Sequence, residues 1–202
     1  MQETGVAFLF GSERFGMGND DVYRCHACLS IPTAPGYGSL NLAPYSFFNA
    51  FSDRPPVVGF SSGGWKDSAT NARDTGEFVC NIVMKSDTGA MNQSSGAYPP
   101  EVNEFEMAGL TMEASRLVKA PRVQGVAAAL ECRLTDIVPM RGADGHPGTY
   151  ILVLGEVVGV HVDDAFIKNG RIDSAAMNHL ARLGYMEYAA VESIFSLGRP
   201  EV

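Results

Sequence analysis

A mainly β fold, a barrel with a few short helical insertions, is the class this chain predicts, and three observations carry the prediction. The apolar runs are short and rich in β-branched residues. Glycine is plentiful, at 22 residues. No alternation of strands with crossover helices appears, so a parallel sheet has nothing to build it. With 202 residues, 46% of them hydrophobic, the chain can bury one substantial core, and one domain without a hinge is expected.

Each element follows from local pattern. Strands read at "PVVGFS" (Pro56–Ser61), "EFVCNIVM" (Glu77–Met84), "VAAALECRLTDIVPM" (Val126–Met140) and "YILVLGEVVGVHVDD" (Tyr150–Asp164). The last two flank "RGADGHPG", whose Gly, Asp and Pro favour a turn, so they form a long antiparallel hairpin. Within it Leu130, Cys132 and Leu134 alternate with Glu131, Arg133 and Thr135, one face inward and one outward. Helices are fewer and short. "DSATNARDT" starts with Asp67 as N-cap and closes at Gly76. "PEVNEFEMAGL" has Pro100 near its first turn and ends at Gly109, with Glu104, Glu106 and Glu113 read as a solvated face. "DSAAMNHLARLGYMEYAA" is capped by Asp173 or Ser174, aligns Met177, Leu180 and Leu183 on one stripe, and stops at Gly184.

Composition excludes several functions. A net charge of −8 and the lack of a Lys/Arg block argue against a nucleic-acid partner. No apolar run approaches the roughly 18 residues of a membrane span. The opening "MQETGVAFLFGSERFG" is too short in apolar residues and has acidic Glu3 ahead of them, so a secretory signal is not expected. Four Cys make no disulfide framework and fit a reducing cytoplasm. "CHAC" (Cys25–Cys28) is half a zinc site without a second half, so no metal is expected. Cys80 and Cys132 read as core; His161 reads as a solvated strand end, His146 as a turn residue and His179 as helical, with no triad around them. No catalytic side chain is assigned.

The stretch "GFSSGGWKDSATNARDTGEF" carries the chemistry. A strand runs into Gly63–Gly64, and a helix follows at Asp67. The first N–H groups of that helix lack partners, and its dipole adds partial positive charge. Lys66 and the hydroxyls of Ser61, Ser62, Ser68 and Thr70 surround the same point. A phosphate suits such a place. A capped, solvated turn explains the same residues, and spacing alone leaves both readings open. Both nucleotide fingerprints, the Walker loop and GxGxxG before a helix, are absent.

The preceding segment separates the two. "NLAPYSFFNAFSDRPPVVGFSS" (Asn41–Ser62), then "KDSATN", "NEFEMAGL", "LECRL", "LGEVVGVHVDD" and "FSLGRP" follow one another in order. Over about residues 40–200 the chain resembles the flavin reductase-like family of FMN-binding split-barrel proteins. The resemblance implies a Greek-key split barrel, a homodimer, and FMN in a cleft between subunits. It implies that Pro44, Tyr45, Ser46, Phe47, Phe48 and Asn49 lie along the flavin ring, with backbone N–H groups of that stretch near its N1–C2 edge. It also implies that Ser61, Ser62, Lys66 and Ser68 hold the ribityl phosphate, with Asp67 shaping the turn. Phe47, Phe48 and Phe51 also read as barrel core, and Trp65 as a cover for either the flavin or the turn.

In mechanism the resemblance implies hydride transfer from NADH or NADPH to the flavin. The reduced flavin then passes electrons to a monooxygenase or another acceptor. Two alternatives stay open: a non-enzymatic FMN-holding electron carrier like flavoredoxin, and a barrel that has lost its cofactor. The second arises from residues 1–38, set apart here from a split-barrel domain over 39–202. "YRCHACLSIPTAPGYGSL" (Tyr23–Leu40) has two prolines and little alternation where the family has an apolar strand. The first barrel strand is therefore expected to be weak or missing, and flavin affinity with it. Near the other end, Tyr185 stands where the family usually has Gly, and Tyr188 aligns with its Tyr.

Overall fold

In the computed structural model the described residues are 27–31 and 40–200. Their elements, in order, are β1 (Ala27–Ile31), β2 (Asn41–Tyr45), β3 (Phe48–Asp53), β4 (Pro56–Ser62), α1 (Asp67–Thr75), β5 (Glu77–Ile82), α2 (Thr88–Ser94) and α3 (Glu104–Met107). There follow β6 (Met112–Glu113), β7 (Arg122–Val123), β8 (Ala128–Arg141), β9 (Pro147–Val162), β10 (Ile167–Lys168), β11 (Arg171–Ile172), α4 (Ser174–Met177), β12 (Leu180–Arg182) and β13 (Tyr188–Ala190). Seven strands make one sheet in the order β2-β1-β5-β8-β9-β4-β3, antiparallel throughout. The edge strands β2 and β3 are consecutive in the chain, joined only by Ser46 and Phe47. So short a link forces the two edges of the sheet together. The result is the mainly β split barrel that the sequence predicts, with its seam at "APYSFFN".

The core explains the curl. Phe48, Phe60 and Phe78 are buried at its centre, and Phe60 meets Phe78 edge-on with ring centroids 5.5 Å apart. Gly155 lets β9 cross this cluster: a Cβ there would lie 2.5 Å from the Phe78 ring. A second cluster of Leu42, Val83, Met91, Phe105 and Leu180 seats α2 and α3 on the outside of β2. The β8–β9 hairpin turns at Gly145, whose φ of 81° suits glycine, and its far end around Val138, Met140 and Tyr150 is exposed.

Five expectations change. The first strand is present: β1 pairs with β2 on one side and β5 on the other from Ala27 to Ile31, ending before Pro32, so the prolines do not interrupt the ladder. Cys25 and His26 lie outside the described residues. Helix α1 has Lys66, not Asp67, at its N-cap, and the Lys66 side chain makes no capping bond; Gly76 ends it at φ 74° as expected. Helix α3 starts at Glu104, after Asn103, whose side chain accepts from the Phe105 N–H. Its supposedly solvated Glu104 is buried, while Glu113 lies in β6 and pairs with Arg122. Glu131, expected to point outward, is buried too, its carboxylate accepting from the N–H groups of Arg116 and Leu117.

The helix expected after Asp173 is the fifth change. It is capped by Asp173, whose side chain accepts from Ala176 N–H, yet stops at Met177 because Asn178 turns left-handed at φ 45°. His179 then bridges Met84, and β12 and β13 form a hairpin around Gly184 and Tyr185. Leu180 finds its partner in the backbone of Val83, which a continuing helix could not reach.

Candidate functional site

The seam and the end of β4 converge. Strand β4 carries Ser61 and Ser62 to the point where β9 supplies Leu152 and Ile151 opposite them. Phe47 at the seam accepts a bond from Ser61 N–H at 2.9 Å. Beyond Ser62 the chain turns at once: Gly64 N–H bonds to Ser62 O and Lys66 N–H to Gly64 O. Gly64 sits at φ 86°, where a side chain would be strained. The first bond of α1 joins Thr70 N–H to Lys66 O, so the N–H groups of Asp67, Ser68 and Ala69 have no partner within the helix. Among the described residues no carboxylate pairs with Lys66, which is exposed.

The aromatic residues of the seam divide. The Phe48 ring is 2% exposed and belongs to the core, so it offers no face to a ligand. Phe47 is 54% exposed, and the ring of Tyr150 stands edge-on to it at 6.0 Å. Phe51 and Trp65 are also exposed, and the Arg73 guanidinium lies 4.9 Å above the Trp65 ring. Trp65 thus covers α1 from outside. Because β3 is an edge strand, no further strand pairs with the outer side of Asn49–Asp53 among the described residues. Pro44 lies in β2 opposite Cys28, and Asn49 in β3 opposite Gly59. Ser46 is half-buried in the link between them.

Behind the helix start lies a buried polar chain that sequence reasoning missed. Ser68 Oγ donates to Asn41 Oδ1 at 2.6 Å, and Asn41 Nδ2 donates to Glu104 Oε1 at 3.2 Å. The second oxygen of Glu104 accepts from Leu42 N–H at 3.1 Å. Ser62 Oγ donates to Gly64 O at 2.8 Å. The Tyr45 hydroxyl lies near Ser68 and Ser62, and its ring packs on Phe60 at 4.7 Å. Burial raises the pKa of Tyr45, which those two hydroxyls partly offset; Asp67 adds to the rise. Burial likewise raises the pKa of Glu104, against the pull of its bonds from Leu42 and Asn41. No spacing in the sequence points from Glu104 to Asn41. Only the packing of α3 on β2 brings them together.

The remaining sequence candidates do not join this site. Cys80 and Cys132 are buried in the core, and burial pushes the Cys80 thiol well up, away from thiolate reactivity. His161 and His179 are half-buried, with pKa values lowered first by desolvation. Among the described residues no group of three His, Cys, Asp or Glu could hold a metal ion, and no helix is long and apolar enough to cross a membrane.

Likeness to known proteins agrees with the geometry. An uncharacterized protein of Halalkalibacterium halodurans is 36% identical over 177 residues, 85% of this chain and 84% of that protein. The crystal structure of nitrilotriacetate monooxygenase component B from Bacillus cereus superposes with a TM-score of 0.78 at 32% identity, over 88% of this chain and 89% of that one. A stretch of 42 residues, 21% of this chain, is 52% identical to a tRNA (cytidine/uridine-2'-O-)-methyltransferase of Photorhabdus laumondii and spans 17% of that protein. Residues 22–177 match the family model of the flavin reductase like domain, and with three quarters of its length so matched the chain belongs to that family.

Proposed function

We propose that the protein binds FMN at the barrel seam and works as an NAD(P)H-dependent flavin reductase. The observation that carries the reading is Lys66, exposed and without a carboxylate partner among the described residues, beside the N–H groups that open α1 without a partner in the helix. A phosphate there gains a cation, a helix dipole and three donors. The ring then extends toward Phe47 and Tyr150, with the outer edge of β3 from Asn49 onward offering donors and acceptors to its pyrimidine side.

Two residues first assigned to the phosphate take another role in this reading. The hydroxyl protons of Ser62 and Ser68 already point to Gly64 O and Asn41 Oδ1. They frame the turn, and Ser61, Thr70 and Lys66 face the ligand. Bound flavin supplies the redox chemistry; the chain orients it and keeps water from it. Hydride chemistry needs no side-chain acid or base. The name of the B. cereus relative supports an acceptor that is a separate monooxygenase component. A second copy of the chain covers Phe47, Phe51 and Trp65, making a homodimer that works in the reducing cytoplasm.

Residues 1–38 are, in the same reading, a diverged segment that still gives the barrel its strand β1. The flavin-family motifs begin at Asn41, although the family match reaches back to residue 22 and β1 still joins the sheet.

Anaerobic mixing of the FMN-loaded protein with NADH or NADPH tests the activity. Bleaching of the visible flavin band on a catalytic timescale is expected with at least one of them. A bound flavin that neither nicotinamide bleaches would mark an electron carrier instead.

A further inference from the structure

From the buried chain behind α1 we infer that Glu104 is a positioning residue for the phosphate cradle, acting through Asn41 on Ser68. The inference rests on the FMN reading above. Its three members are each more than nine-tenths buried, at 7%, 6% and 2% exposure, so the bonds between them are shielded from water. An ionised carboxylate can only accept hydrogen bonds. Glu104 therefore forces Asn41 to present its NH2 group, and Asn41 must turn its oxygen toward Ser68. That oxygen takes the Ser68 proton. The hydroxyl is left with lone pairs only.

The consequence falls on the helix start. Ser68 is the second residue of α1, and the free N–H groups of Asp67, Ser68 and Ala69 move with it. Glu104 also holds Leu42 N–H, so the same carboxylate grips the backbone of β2 and, two bonds away, the first turn of α1. With its one proton committed to Asn41, Ser68 is held in a single orientation, and the donors at the mouth of the site are the backbone N–H groups and Lys66. Neutral Gln at 104 can donate as well as accept. It no longer dictates which way the Asn41 amide faces, and Ser68 loses its fixed orientation.

The test compares FMN with riboflavin, which lacks the phosphate, on the whole chain. Glu104→Gln is expected to weaken FMN about tenfold, the scale of one hydrogen bond to a charged group, and to leave riboflavin affinity within about twofold. Ser68→Ala is expected to do the same, and the double variant to be no weaker than either single one, because both break one chain. Ser68→Ala removes only a hydroxyl and serves where Glu104→Gln fails to fold. An unchanged FMN-to-riboflavin ratio in Glu104→Gln, alongside a wild type that prefers FMN, overturns the inference while leaving the cradle standing. It is overturned equally if Ser68→Ala weakens FMN but Glu104→Gln does not, since Ser68 would then touch the phosphate itself. A wild type that binds both flavins equally overturns the cradle, and the role of Glu104 with it.

Discussion

Where a proton points decides what a side chain at this site can do. Ser62 and Ser68 look in the sequence like phosphate donors equal to Ser61, yet their protons already go to Gly64 O and Asn41 Oδ1. Glu104 looks like a surface residue and is instead the acceptor at the end of a buried chain. Its burial has a pH signature. A raised carboxyl pKa means that the folded state holds a proton which the unfolded state has released, from the ordinary 4.5 up to the raised value. The stability contributed by this group is therefore full below that window and falls as pH rises through it. Urea unfolding of wild type and Glu104→Gln across the acid range isolates the effect, since His161 and His179 contribute equally to both. A gap between the two that changes with pH in this window is expected; a constant gap would show that Glu104 titrates normally.

At the scale of elements, one glycine lets β9 lie across the aromatic core. A Cβ at Gly155 would sit 2.5 Å from the Phe78 ring and 3.1 Å from the Arg133 carbonyl oxygen. Phe78 is fully buried against Phe60 and has no room to retreat. Gly155→Ala should therefore destabilise the fold by about 1–3 kcal/mol. Thermal unfolding followed by circular dichroism checks this; an unchanged melting temperature would mean the β8–β9 hairpin slides freely over the core. The strands themselves were legible in the sequence. β4, β5, β8 and β9 announce themselves by short apolar runs bounded by turn residues, and Gly76 and Asp173 mark their helix ends correctly. Three features were not legible. Asn178 ends α4 in a left-handed turn that a helical stripe of Met177, Leu180 and Leu183 conceals. β1 stops one residue short of Pro32, so the prolines in its neighbourhood say nothing of its ladder. The Glu104–Asn41 bond joins residues 63 positions apart, and no local pattern can report a contact made by packing.

For the whole molecule, the seam is the feature on which fold and function meet. The two edges of the sheet are brought together by Ser46 and Phe47, and the helix start with Lys66 lies beside them. Phe47, Phe51 and Trp65, each about half exposed, and the protruding end of the β8–β9 hairpin leave apolar surface that a second copy should cover. Sedimentation equilibrium at micromolar concentration should give twice the chain mass of 21.6 kDa; a monomer would contradict the dimer. In the proposed FMN site the phosphate is the contact on which the rest depends. Fluorescence titrations of FMN and riboflavin into wild type and Lys66→Ala measure it directly. Wild type should prefer FMN, and Lys66→Ala should lower FMN affinity roughly tenfold to a hundredfold, the range of a charge-assisted bond of about 1.5–3 kcal/mol, while riboflavin binds both forms alike. FMN affinity untouched by the loss of Lys66 would contradict the phosphate cradle and leave "SSGGWKDS" a solvated turn.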